Sequence, residues 1–419
     1  MFSKKIQPSD HKSYRVKILQ TSEIDKAVEN MLKPLNRMMM LQLPPKYHPT
    51  NNILLNKASI LGAVLRTILF LLRMCCDIST HIHDLFCFVL VSIDFFLYSI
   101  GFLVIYIYNL THTKIHFESI LRLYEIHRHF QNKSVFKNVV IISWCYFIMI
   151  LCFHIGIVIP NYLYWLPWEI IVSNSILFCL DACMVYSIRF INLLECYALS
   201  WNSDFFDASS NIGKEANYES FYYKYNKILE SYKLFGILCQ IWVLFHAIET
   251  FVHGLVDIHF MIGLYKTDEE IIKPLICNLL WIVKNLLLQI LLGSSCELFY
   301  AALSSCQDSC TIILGSTRSD ADKKICKNIQ RLHETHFMKL ELFGLGSVDA
   351  MLPVALFGLA YKLYSSTPSI YVLPSERINI MFRVTEELLG GDFSRLRDVD
   401  ASVHAAHNEE ESFCDSKLV

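Results

Sequence analysis

The chain has 419 residues, 54% of them apolar and 18% charged, and its mean hydropathy is +0.38. A soluble chain carries roughly 25% charged residues, so charge this thin, gathered between long apolar blocks, excludes a disordered protein, a coiled coil and an ordinary cytosolic enzyme. The net charge of −2 gives no basic bias toward nucleic acid, and the composition predicts an all-α membrane protein that crosses the bilayer several times.

The start, Met1-Phe2-Ser3-Lys4-Lys5, leads into polar sequence without a visible cleavable signal peptide, so the first spanning helix is expected to direct insertion. A spanning helix needs about 20 mostly apolar residues. Seven stretches qualify, near 58–75, 84–108, 138–159, 168–199, 234–257, 274–302 and 340–364, here numbered spans 1 to 7. Arg66 and Arg73 weaken span 1, and Gly344, Gly346, Asp349 and Pro353 interrupt span 7. Spans 4 and 6 run longer than a bilayer requires, and their C-terminal ends are expected to continue as helices outside it. The predicted organisation is a cytoplasmic segment 1–57, a seven-helix transmembrane domain 58–365 with cytoplasmic helix extensions, and a polar, disordered tail 366–419.

Orientation follows from basic residues, which collect on the cytoplasmic side. Segment 1–57 and the linkers after spans 2, 4 and 6 together hold 25 Lys and Arg, whereas the other three linkers hold only Lys266 and Lys273. The N-terminus is therefore expected inside, and an odd number of spans puts the C-terminus outside. Tyr162, Tyr164, Trp165 and Trp168 lie in and beside the short outer linker, as an interfacial aromatic belt should. The sequons at Asn109 and Asn132 fall on the predicted inner side and are expected to be unused. The 15 cysteines lie mostly in apolar blocks with no Cys-x-x-Cys, which argues against a disulfide framework or a zinc site.

No phosphate loop, nucleophile elbow or metalloprotease motif is present, so no catalytic residue, metal or cofactor is expected. His127-Arg128-His129 reads as a solvated helix face in a basic linker. Ionisable residues within spans say more, because each is costly unless it faces protein or water. These are Asp94, Asp181, Glu249, Lys284 and Asp349. They mark either a polar ligand pocket or ion path, or structural ion pairs that set helix register. In span 5, His246, Glu249 and His253 are spaced i, i+3, i+7 and share one face of an apolar helix. In the inside-N orientation this stripe lies in the outer half, with Trp281 and Lys284 of span 6 near mid-depth and Trp168 at the outer end of span 4. The candidate ligand-binding set is Asp94, Tyr98, Trp168, His246, Glu249, His253, Trp281 and Lys284; interhelical hydrogen bonding alone is the competing reading. The orientation is inverted relative to G-protein-coupled receptors, and neither Asp-Arg-Tyr nor Asn-Pro-x-x-Tyr occurs where those receptors carry them.

Three stretches carry a resemblance to a known family. Asn30-Met31-Leu32-Lys33-Pro34-Leu35 leads to Leu43-Pro44-Pro45-Lys46-Tyr47 before span 1; the aromatic cluster fills the outer linker; and Phe343-Gly344-Leu345-Gly346-Ser347-Val348-Asp349-Ala350-Met351-Leu352-Pro353 leads into span 7. Over roughly 25–359 the chain resembles the insect gustatory receptors, relatives of the insect odorant receptors. The resemblance implies a tastant-gated, nonselective cation channel in the plasma membrane of a sensory neuron. It implies assembly as a homo- or heterotetramer with other gustatory receptor subunits, a small-molecule pocket among spans 2–6, a shared anchor formed by cytoplasmic extensions of spans 4–7, and a pore lined by the last half of span 7. Aromatic and mixed-charge groups favour a plant-derived bitter ligand.

The chain departs from the family in that last half, where the family carries Thr-Tyr, five apolar residues and Gln-Phe. Here the sequence reads Gly358-Leu359-Ala360-Tyr361-Lys362-Leu363-Tyr364-Ser365-Ser366-Thr367-Pro368, and a polar tail ending near Glu409-Glu410-Glu411 follows. No pore residue is assigned. The abrupt change suggests a retained intron, an alternative exon or a gene-model error after about Gly358. The alternative function is a pore-less chemosensory receptor or regulatory subunit signalling through a partner or G protein. A transporter ranks behind both, because no inverted repeat is visible.

Overall fold

The computed structural model describes residue 68, most of 101–129, then 133–163, 168–210, 218–264, 272–343 and scattered positions from 347 to 358; toward several helix ends only the backbone is described. The chain divides into two units, Met1–Ala360 and Tyr361–Val419, and everything described lies in the first.

Six helices follow in order: α1 (Thr113–His129), α2 (Lys133–Leu163), α3 (Trp168–Ser210), α4 (Tyr218–Leu264), α5 (Ile272–Gly315) and α6 (Asp320–His336). Among the described residues there is no β-strand, only an isolated antiparallel bridge between Glu341 and Ser347. Three helices contain stretches long and apolar enough to cross a membrane: Leu180–Ala208, Tyr218–Leu255 and Leu279–Gly315. Span 1 and most of spans 2 and 7 lie outside the described residues.

The long helices have 43, 47 and 44 residues. At about 1.5 Å per residue each is roughly 65–70 Å long, more than twice the hydrocarbon core of about 30 Å. A large part of each therefore lies beyond any bilayer it crosses. For α3 and α5 the extension is the one expected. For α4 it is not, because the helix begins at Tyr218 rather than near 234. Helices α1 and α6 likewise occupy segments expected to be linkers. These pieces are amphipathic rather than apolar throughout: α1 buries Ile120, Leu123 and Ile126, and α6 buries Cys326, Ile329 and Leu332 at three-residue steps. Ser319 caps α6, its side chain accepting from the Asp322 amide at 3.2 Å.

Helix α3 is the centre of the bundle. It packs most extensively on α5 and then α4, α2 lies against α3 and α5, α1 against α4, and α6 against α5 and α4. From Leu180 to Leu194 nearly every α3 side chain is buried, which is why this helix is apolar on all sides. Outward faces remain apolar too. Ile141, Ile148, Leu151 and Ile155 of α2, Ile237 of α4, and Leu279 and Val283 of α5 are exposed.

Two expectations change here. His127 is not on a solvated face: it is buried, and its Nδ1 lies 3.2 Å from the Tyr197 hydroxyl of α3, whereas Arg128 is exposed. One residue, about 100° of rotation on an amphipathic helix, separates the two environments. Asp349 does not act as a charge inside an apolar helix. Its carboxylate accepts from the Ser347 hydroxyl at 2.7 Å and from the Met351 amide at 2.9 Å, which caps the start of the next helical turn. Asn109 is fully buried.

At the end of the bundle where α5 turns into α6, Trp201 stacks on Phe205 at 4.6 Å and donates from Nε1 to the Phe221 carbonyl at 2.9 Å. Nearby, Gln307 Nε2 donates to the Tyr225 hydroxyl at 2.7 Å, and that hydroxyl lies 2.8 Å from His333 Nδ1. Burial holds the His333 imidazole below its ordinary pKa, with Glu334 pulling weakly the other way. The neutral ring accepts the tyrosine proton. Because the folded value lies below the unfolded one, this contribution is complete above the free-histidine value of about 6.5 and is lost as pH falls through the folded value. The protection of α6 amides relative to their intrinsic exchange rate at each pH is expected to fall below about pH 6.5 in the wild type and to lose that step in His333→Gln. An unchanged step in the variant would assign the loosening to another group.

The segment that follows α6 is held by two tyrosines. The Tyr232 hydroxyl reaches the Met338 carbonyl at 3.1 Å, and the Leu340 amide donates to the Tyr300 hydroxyl at 2.9 Å. The Val348 amide then donates to the Leu340 carbonyl at 2.7 Å, closing a loop in which exposed Phe343 takes φ of 50°, the left-handed region that costs a bulky residue energy.

Candidate functional site

Four helices bring polar side chains together inside the apolar bundle. The centre is Asp181 of α3. Its Oδ2 accepts from Lys284 Nζ of α5 at 2.6 Å and lies 2.8 Å from His154 Nε2 of α2. His246 Nε2 of α4 stands 3.6 Å from Oδ1, within ion-pair range but beyond hydrogen-bond range. Asp181, Lys284 and His246 are each at most 1% exposed. A charge placed so deeply is tolerated only with a partner and further hydrogen bonds, and both are present. Lys284 also sits over the Trp281 ring, 3.6 Å from its centroid, a cation–π contact strengthened by the loss of water.

A second row runs along the α4–α5 seam. His253 meets the Trp281 ring edge-on at 5.3 Å, and Asn285 Nδ2 donates to Glu249 Oε1 at 3.0 Å. Gln289 Nε2 donates to Thr250 Oγ1 at 2.9 Å, and Thr250 Oγ1 donates to the His246 carbonyl at 2.7 Å. The rungs repeat because the helices run antiparallel and both use three- and four-residue steps, so one face of each stays in register with the other.

Of the expected residues, His246, Glu249, His253, Trp281 and Lys284 therefore lie in one connected cluster. Trp168 is the first residue of α3 and its side chain is outside the described set; Asp94 and Tyr98 lie outside the described residues altogether. Asp181 stood out in the sequence as a charge within a span but was not placed in the ligand set, although it proves to be the hub. His154, Thr250, Asn285 and Gln289 were missed. Their signal was available: Trp281, Asn285 and Gln289 fall at i, i+4, i+8 of an otherwise apolar block. Among the described residues no group of three or more His, Cys, Asp or Glu side chains is arranged to hold a metal ion. The Asp181 carboxylate is instead engaged by an ammonium and imidazoles.

Among the described residues the fold and this cluster define an all-helical arrangement with three helices of membrane-crossing length and composition and a buried polar seam within them. Neither the models of known protein families nor the sequences of curated proteins match this chain.

Proposed function

We propose that the chain is a chemosensory membrane receptor of the gustatory type, a subunit of a tastant-gated nonselective cation channel in the plasma membrane of a sensory neuron. The observation that carries this reading is the polar seam. Apolar helices long enough to cross a bilayer hold buried carboxylates, an ammonium, imidazoles and a tryptophan against one another, and ionisable groups in such a place mark a ligand or ion site before anything else. Supporting it are the exposed isoleucine, leucine and valine faces of α2, α4 and α5, which suit lipid as solvent and would be an association hazard in water.

In this reading seven spans run from a cytoplasmic N-terminal segment, 1–57, through the domain 58–365 to the polar tail 366–419. The extensions of α3, α4 and α5 with α6 form the cytoplasmic anchor of a homo- or heterotetramer. Tastant binds in the cluster built on Glu249, Trp281 and Lys284, joined by Asp94, Tyr98 and Trp168. The missing Thr-Tyr and Gln-Phe pairs specifically favour a second reading, a pore-less or regulatory subunit that needs a partner.

The test is whole-cell recording from full-length protein in cells lacking other chemoreceptors. Tastant-evoked, salt-dependent cation current is expected. Glu249→Ala and Trp281→Ala are expected to shift the half-maximal tastant concentration by about tenfold or more while surface labelling stays near wild type. A chain delivered to the surface that passes no current with any tastant, alone or with partner subunits, would defeat the channel reading. Equal loss of delivery in both variants would make the seam structural.

A further inference from the structure

The α4–α5 seam also has a fixed hydrogen-bond polarity, and with the ligand-site reading above as its premise this polarity selects a class of ligand. The amide of Asn285 is oriented by its partner. Nδ2 donates to the Glu249 carboxylate, and a flipped amide would set Oδ1 against carboxylate oxygen. Gln289 is oriented in the same way. Its Nε2 donates to Thr250 Oγ1, whose own hydrogen is spent on the His246 carbonyl, so a flipped amide would set oxygen against an oxygen with no proton to offer. Both carbonyl oxygens are thereby turned away from the rung that holds the nitrogen. Asn285 Oδ1, Gln289 Oε1 and the Trp281 indole N–H have no hydrogen-bond partner among the described residues, although the three residues are 1%, 1% and 5% exposed. They lie at i, i+4, i+8 of α5, stepping about 6 Å along one face. Unspent polar atoms at this depth are costly unless something completes them.

We propose that Asn285 and Gln289 are specificity-determining residues. Their carbonyl oxygens accept from a small ligand that brings two N–H or O–H donors about 6 Å apart and carries no negative charge, and Trp281 donates to any acceptor the same ligand offers. The polarity agrees with this, because a carboxylate has no proton to offer either oxygen. A neutral diol and a diammonium share the required donor chemistry and differ at Trp281, because a hydroxyl can accept the indole proton and an ammonium cannot.

The experiment uses full-length protein in lipid nanodiscs and a size-matched cyclohexane series, the trans para-diol, diamine and dicarboxylate. Binding is read by saturation-transfer NMR and by the shift of thermal unfolding. The diol, the diamine or both are expected to bind, and the dicarboxylate is not. Gln289→Leu and Asn285→Leu should each weaken binding about tenfold. Trp281→Phe, which keeps an aromatic ring beside Lys284 and removes the N–H together with part of the indole, should weaken the diol more than the diamine, and it serves where a leucine variant fails to fold. Dicarboxylate binding as tight as the diol, binding by none of the three, or affinities unchanged in all the folded variants would overturn the proposal and leave the seam to solvent. Ion current is no part of this readout. A chain that binds the diol but never conducts would sink the channel reading alone, and a chain gated by a carboxylate through this seam would sink the ligand class alone.

Discussion

Lys284→Met is expected to destabilise the folded chain by about 3–5 kcal/mol, the cost of leaving one member of a buried ion pair without the other. Lys284 Nζ lies 2.6 Å from Asp181 Oδ2, and both side chains are 1% exposed. Methionine matches the length of the lysine stem, so the loss is of charge rather than volume. Asp181→Leu in the same chain should recover most of the loss, because the uncompensated carboxylate goes and an apolar contact replaces the pair. Thermal unfolding followed by size-exclusion fluorescence in detergent measures both. If the double variant is no more stable than the single one, Asp181 is held mainly by the histidines rather than by Lys284. If neither change matters, the pair is hydrated rather than sealed from water.

Trp201→Ala should cost a similar amount, about 3–5 kcal/mol, at the opposite end of the bundle. The indole is fully buried, stacked on Phe205 and set edge-on to Phe221, and its N–H satisfies the Phe221 carbonyl. Alanine leaves a cavity between α3 and α4, and the Phe221 carbonyl keeps only its bond within the helix. Trp201→Phe keeps an aromatic ring but loses the hydrogen bond and part of the indole, so a smaller cost of about 1–3 kcal/mol is expected. The comparison asks whether the helix extensions form a packed core in their own right. Equal, small losses in both variants would mean that they do not, and that α3 beyond the apolar stretch is held by its neighbours only loosely.

The parts of this architecture that could be read from the sequence are those in which apolar residues are continuous. The cores of α2, α3, α4 and α5 coincide with blocks that no soluble segment would carry. Helix α6 and the first turns of α4 were not legible as helices, and α1 only as a solvated helix face at its end, because their apolar residues are interleaved with charge and only packing against the long helices gives them a buried side. The site divides along the same line. His246, Glu249, His253 and Lys284 stood out because a charge or imidazole in an apolar block has no other explanation. Asn285, Gln289 and Thr250 drew no notice, since uncharged polar residues are common in such blocks and nothing in one helix shows which of them faces another. Asp181 was visible as an anomaly, but its role as the hub depends on three other helices. His127 shows the reverse error, a residue read as solvated from its basic surroundings when the next helix covers it.

Helix α5 runs without a proline from the polar seam to its end, and α6 is folded back on it. Gln289 and Ile313 are separated by about 36 Å of this rod. A tilt of about 3° at the seam therefore carries the far end sideways by about 2 Å, a purely geometric gain over the same helix rise. Gln307 and Tyr300, about 27 Å and 16 Å along the rod from Gln289, move by about 1.4 Å and 0.9 Å, which exceeds the slack in the 2.7 Å contact between Gln307 and Tyr225 and in the 2.9 Å contact between Leu340 and Tyr300, since neither bond survives much beyond 3.5 Å. The rod thus works as a lever with its short arm among the polar rungs and its long arm under the chain that leads out of α6. A movement too small to disturb the seam itself is large enough to break the bonds at the other end.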